Sequence, residues 1–126
     1  MNTERFNEVL KDTLDRCTAT LCVKAHEYAT DDRLHNFKVA AEIQNCTPIT
    51  ALAGMMAKHT VSVYDLIQKQ EENFAATSKA LWNEKIGDSI NYLILLTALV
   101  QEQFDEMNAR TCRCVTVEEM RTDESV

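Results

Sequence analysis

The chain is poor in the two residues that interrupt helices: its 126 residues include two glycines and one proline. Apolar–polar alternation of period two is nowhere sustained, which excludes a domain built on sheets. Clustered Lys and Arg are missing as well. With 13 basic residues against 20 acidic ones and a formal net charge of −7, the chain lacks the basic groove that a nucleic acid requires. The longest apolar run, Tyr92 to Val100 with Thr97 interrupting it, is far too short to span a bilayer, so no membrane contact is expected. No charged start with an apolar centre and a small-residue cleavage site stands at the amino end. The five cysteines, an odd number, fit a reducing cytoplasm better than a disulfide framework.

Leu, Ala, Glu, Lys, Met and Gln dominate the middle of the chain, and these are strong helix formers. The expectation is a single all-α domain over residues 1–110, a bundle of four to five helices, followed by a polar tail over 111–126. A chain of this length buries a core without metal or disulfide staples. The acidic excess suits either a divalent-cation site or plain solubility.

Phe6, Leu10, Leu14, Cys17, Leu21 and Tyr28 recur at helical spacing and predict a first helix over 3–28, capped by Asn2 or Thr3 with Glu4 in its first turn. Lys24 falls on the same apolar stripe. "ATDDRLHNF" (29–37) breaks the pattern, and Asp31 or Asp32 is expected to cap a short second helix burying Leu34, Phe37, Ala40 and Ala41. "NCTPIT" (45–50) marks a boundary, with Thr47 as N-cap and Pro48 at the first helical position. The third helix is expected to reach about residue 70 and to bury Leu52, Met56, Val63 and Leu66. Ser78 then caps a fourth helix over about 79–108, apolar on nearly every side in its latter half and hence central, covered by the other helices or by a second subunit.

Chemistry concentrates on three stretches. On the fourth helix Glu84, Asp88, Asn91, Leu95 and Leu99 are spaced four, three, four and four residues apart, so they share one face. Two carboxylates on a face that becomes core repel unless a cation or a base sits between them. Oxygen-only ligation of this kind suits Mg²⁺ or Mn²⁺. The alternative is a solvated helix end with Glu84 paired to Lys85. Lys24, Glu27, Tyr28 and Asp31 occupy adjacent turns near the end of the first helix, as a site or as a solvated end with a snorkelling lysine. In "MMAKHTVSVYD" (55–65) Lys58 and His59 stand within a turn of Met55 and Met56. His59 is either a satisfied core histidine or a ligand, and Lys58 a phosphate partner or an ordinary surface base. Cys112 and Cys114 lack the second ligand pair of a structural zinc site. Gly-rich phosphate loops, G-x-S-x-G and HExxH are absent from the sequence.

"EKIGDSINYLILL" (84–96), "KAHEYATDDRLHNF" (24–37) and "KH" (58, 59) together resemble the MazG-like, all-α nucleoside triphosphate pyrophosphohydrolase superfamily. The likeness is greatest to its short phage and bacterial members grouped as nucleotide-modification-associated or MazG-like domains, and it spans roughly residues 5–100. It implies a helical module in which Glu84, Asp88, Glu27 and Asp31 present oxygens to Mg²⁺ or Mn²⁺. Glu84, Asp88 and Glu27 would be the catalytic acids, and Lys24, Asn36, Lys58, His59 and Asn91 would contact the nucleotide. A homo-oligomer, such as a homodimer, and a nucleotide ligand follow from the same likeness. Two departures stand out. Lys85 occupies the position where the superfamily's E-x-x-D motif has Glu, and no E-x-x-E pair precedes it on the third helix, which offers only Asp65. Three function classes remain: a metal-dependent nucleotide pyrophosphohydrolase, a non-catalytic helical module that binds a nucleotide or a protein, and a purely structural homodimer.

Overall fold

A computed structural model describes the backbone of residues 1–27 and 30–123, and the side chains of the same residues except 26 and 115–123. The chain folds as α1 (Thr3–Glu27), α2 (His35–Gln44), α3 (Pro48–Glu72), a 3₁₀ turn (Phe74–Ala76) and α4 (Lys79–Asp123). No strand occurs among the described residues, in keeping with the all-α expectation. No helix among them is long and apolar enough to cross a membrane.

Local chemistry sets most helix boundaries. At α1 the Asn2 side chain accepts from the Arg5 amide at 2.8 Å. At α3 the Thr47 hydroxyl accepts from the Thr50 amide at 3.2 Å and Pro48 opens the first turn, where a missing N–H costs nothing. α2 ends in a left-handed Asn45, φ 50°, a conformation Asn tolerates. The Cys46 amide donates to the Ala41 carbonyl and the Asn45 amide to that of Glu42, at 2.9 and 3.2 Å, so the last carbonyls are satisfied. Between α3 and α4 the Gln70 side chain accepts from both the Thr77 hydroxyl and the Trp82 indole N–H. Ser78 accepts from the Leu81 amide at 3.1 Å and starts α4.

Leu34, Phe37, Leu52 and Leu99 form the core, with Ile49, Met55, Met56, Tyr92, Leu95 and Leu96 packed around them. Leu52 is fully buried, at 0% exposure. α3 packs against α2 on one side and α4 on the other, whereas among the described residues α1 packs on α4 alone. The segment between α1 and α2 is tied back by Arg33, whose guanidinium donates to the Leu21 carbonyl at 2.8 Å.

Three sequence expectations need correction. Phe6, Leu10 and Leu14 share a face as expected but are exposed, and of that stripe Cys17 is the buried residue. Among the described residues their only neighbouring helix is α4, too little to cover the stripe. Tyr28 lies outside the described residues. The second helix is not capped by Asp31 or Asp32. Leu34 occupies its N-cap without a side-chain hydrogen bond, and Asp32 acts in the turn before it, accepting from the Leu34 amide at 2.9 Å. α4 does not stop near 108 but continues to Asp123, so the expected tail is helical over 111–123. No Gly or Pro follows Gly87, so falling apolarity was not a stop signal.

Lys38 of α2 bridges Asp32 and Glu102 of α4, with N···O distances of 2.7 Å to each. The Lys38 ammonium, and then the Leu34 amide, hold the Asp32 carboxyl below its usual range. Asp32 and then Glu102 raise Lys38. A depressed carboxyl stabilises the fold above its unfolded value of about 3.9 and loses that contribution as pH falls through the folded value. A raised lysine contributes below about 10.5 and loses it as pH rises through the folded value. Half-exposed pairs of this kind contribute about 0.2–1 kcal/mol each. Lys38→Met, which removes both pairs, is therefore expected to lower stability at pH 7 by up to about 2 kcal/mol and to flatten the acid loss between pH 5 and 2, measured by urea unfolding at each pH. Leu52→Ala is expected to cost about 2–5 kcal/mol in the same assay.

Candidate functional site

Burial of Leu95 and Leu99 against the core fixes how α4 is rotated. One, two and three turns before Leu95 on the same row lie Asn91, Asp88 and Glu84, so core packing aims these polar groups toward α1. Between the two helices runs a groove of about 750 Å³. α4 contributes Lys79, Asn83, Glu84, Gly87, Asp88 and Asn91 to it, while Arg5, Asp12, Thr13, Arg16, Thr20 and Lys24 come from α1.

Asn91 is the buried polar residue of this region, 8% exposed, and its Oδ1 has no hydrogen-bond partner. A buried amide oxygen without a donor costs about 1–3 kcal/mol, so this acceptor is poised for one. Asp88, with a side chain 31% exposed, has its Oδ2 3.5 Å from His59 Nδ1 of α3. The His59 ring lies 4.6 Å from that of Tyr92, and Tyr92 meets Phe37 edge-on at 6.4 Å. A row of rings thus connects the core to the Asp88 carboxylate. Glu84, its side chain 62% exposed, reaches Lys85 at 3.4 Å. Arg16 donates across the groove to Asn83 Oδ1 at 3.3 Å, and within α1 to the Thr13 hydroxyl at 3.2 Å.

Of the residues singled out in the sequence, Lys24, Glu84, Asp88 and Asn91 share the groove, and His59 stands behind Asp88. Lys58, one residue from His59, is exposed and does not line it, and neither does Asn36 of α2. Glu27 and Asp31 are exposed beyond it. Among the described residues no three His, Cys, Asp or Glu side chains gather about one point as a ready metal cage. The oxygens of Glu84, Asp88 and Asn91 are nonetheless the hard donors that Mg²⁺ or Mn²⁺ takes, and Mg²⁺ uses only one or two carboxylates when phosphate completes its shell. Asp12, Arg16 and Asn83 went unnoticed in the sequence. They carry no motif, and only the packing of α1 on α4 brings them opposite the acidic row.

None of the family models, curated proteins or solved structures compared with the chain matches it.

Gly87 lies in the floor of this groove, and a Cβ added there meets nothing within 4 Å, as is also true of Gly54 on the exposed side of α3. Both sit in helix interiors with negative φ, where alanine is better tolerated than glycine. Gly54→Ala and Gly87→Ala are each expected to raise stability by about 0.5–1 kcal/mol, read as matching increases in urea midpoint. A loss at Gly87 alone would mean that α1 closes over this floor.

Proposed function

We propose that the α1–α4 groove is a nucleoside triphosphate site of the pyrophosphohydrolase type that the sequence resembles. The observation that carries the reading is local charge. Arg16, Lys24 and Lys79 line the groove opposite Asp12, Glu84 and Asp88, while Arg5 there is already paired with Glu8, within a chain of net charge −7. Bases gathered in one cleft of an acidic protein attract an anion, and the aligned oxygens of Glu84, Asp88 and Asn91 suit the cation that accompanies a triphosphate. Lys24 and Lys79, which form no ion pair among the described residues, would hold the phosphates. His59 would orient Asp88, and the open Asn91 acceptor would take a donor from the ligand or from a cation-bound water. Mg²⁺ or Mn²⁺ would supply charge neutralisation and a more acidic water. A homo-oligomer belongs to this reading, because α1 and α4 leave large apolar side chains uncovered.

Binding without turnover is the second reading. It is favoured by Lys85 at the position of the superfamily's first motif acid, and by Glu27 and Asp31 standing outside the groove.

Calorimetric titration of a ribo- and deoxyribonucleoside triphosphate panel with and without Mg²⁺, alongside pyrophosphate release, tests both. Cation-dependent binding is expected to weaken at least about tenfold in Asp88→Asn and in Lys24→Ala, a loss of about 1.4 kcal/mol, while Lys69→Ala on the exposed end of α3 leaves it unchanged. Cation-dependent binding without pyrophosphate release favours the second reading. Binding indifferent to both the cation and Asp88→Asn would remove the groove from consideration.

A further inference from the structure

α4 has a second apolar face that the core does not use. Ile86, Leu93, Val100, Met107 and Cys114 recur every seven residues. Ile90, Thr97, Phe104 and Thr111 interleave with them at alternating steps of four and three, which is the spacing of a coiled-coil seam over four heptads. The core-facing residues Tyr92, Leu95 and Leu99 fall on other positions of the same repeat. Along the seam Ile86, Leu93, Val100, Phe104 and Met107 are exposed large apolar residues, with Phe104 at 57%.

We infer that this seam is where a second copy of the chain packs, α4 against α4. Three observations point to an identical helix as the occupant. A repeat of 3.5 residues is complementary to another helix carrying the same repeat, not to a flat or irregular surface. Between Gly87 and Gln103 the seam positions and those flanking them carry no charge, while the acids Asp88, Glu102, Asp105 and Glu106 occupy outer positions of the repeat. Two such seams therefore meet without the repulsion that a chain of net charge −7 otherwise brings to self-association. The chain also exposes 9777 Å², about 3,000 Å² more than a compact monomer of its mass. A stable interface needs about 800 Å² from each partner. Ile86 lies both on the seam and in the lining of the α1–α4 groove, so the second copy borders the groove. The inference is independent of what the groove binds.

Sedimentation equilibrium of the full chain is expected to give twice the 14.3 kDa chain mass. The double variant Leu93→Lys with Phe104→Lys is expected to weaken association at least about a hundredfold with its helical circular dichroism retained. Phe104→Leu and the off-seam Tyr64→Lys on α3 keep the dimer. If the double variant fails to fold, wild-type melting decides: a dimer melts at a temperature that rises with protein concentration. A monomeric wild type with concentration-independent melting, a dimer that survives both lysines, or one dissolved by Tyr64→Lys would overturn the assignment.

Discussion

The structure depends on the burial of one side of α4. Tyr92, Leu95, Leu96 and Leu99 pack against Leu34, Phe37 and Leu52 of the chain's other elements, and apolar burial is the main favourable term in folding. Once that row is buried, the rotation of the helix is no longer free. Everything else about α4 is then a consequence of angle: which residues face α1, which face solvent, and which end of the row meets the groove. The α3 side reinforces the same angle, because His59 sits between Tyr92 and Asp88, so one neighbour touches both the apolar and the acidic part of the row.

The groove inherits its character from this constraint. Of the carboxylates that extend the core-facing row, Asp88 is largely covered and meets His59, whereas Glu84 stands at the solvated end beside Lys85. Arg16 already spends one donor on Asn83, whereas the buried Asn91 oxygen is left open. A groove that served only to pack two helices would be expected to fill with aliphatic side chains. This one keeps open space above Gly87 and a lining of mixed charge.

Much of the fold was legible because its signals are local. Thr47–Pro48 and Ser78 announce helix starts by hydrogen-bonding their own neighbours, and the second and third helices show their buried faces by spacing alone. The row Glu84–Asp88–Asn91 was readable for the same reason, since Leu95 and Leu99 label its face. What spacing does not convey is which faces find a neighbour. Phe6, Leu10 and Leu14 align as well as any core stripe yet stay exposed, because among the described residues α1 meets no helix but α4. Asp12 and Arg16 belong to the groove only through that same packing, a contact between residues about seventy positions apart. The end of α4 was misjudged for a different reason: loss of apolarity was read as loss of helix, although nothing in 88–123 breaks one.

The two faces of α4 cannot be treated as separate devices. A helix of 45 residues is about 68 Å long, well beyond the reach of the 25-residue α3 beside it, and its described side chains from Gln103 to Cys114 are exposed. A rigid element that runs from a covered core to an uncovered seam transmits position along its length. Ile86 is where the lines cross, since it opens the seam and also lines the groove. A second copy seated on the seam would therefore border the rim beside Glu84 and Asp88, while the core behind the acidic row sets its direction.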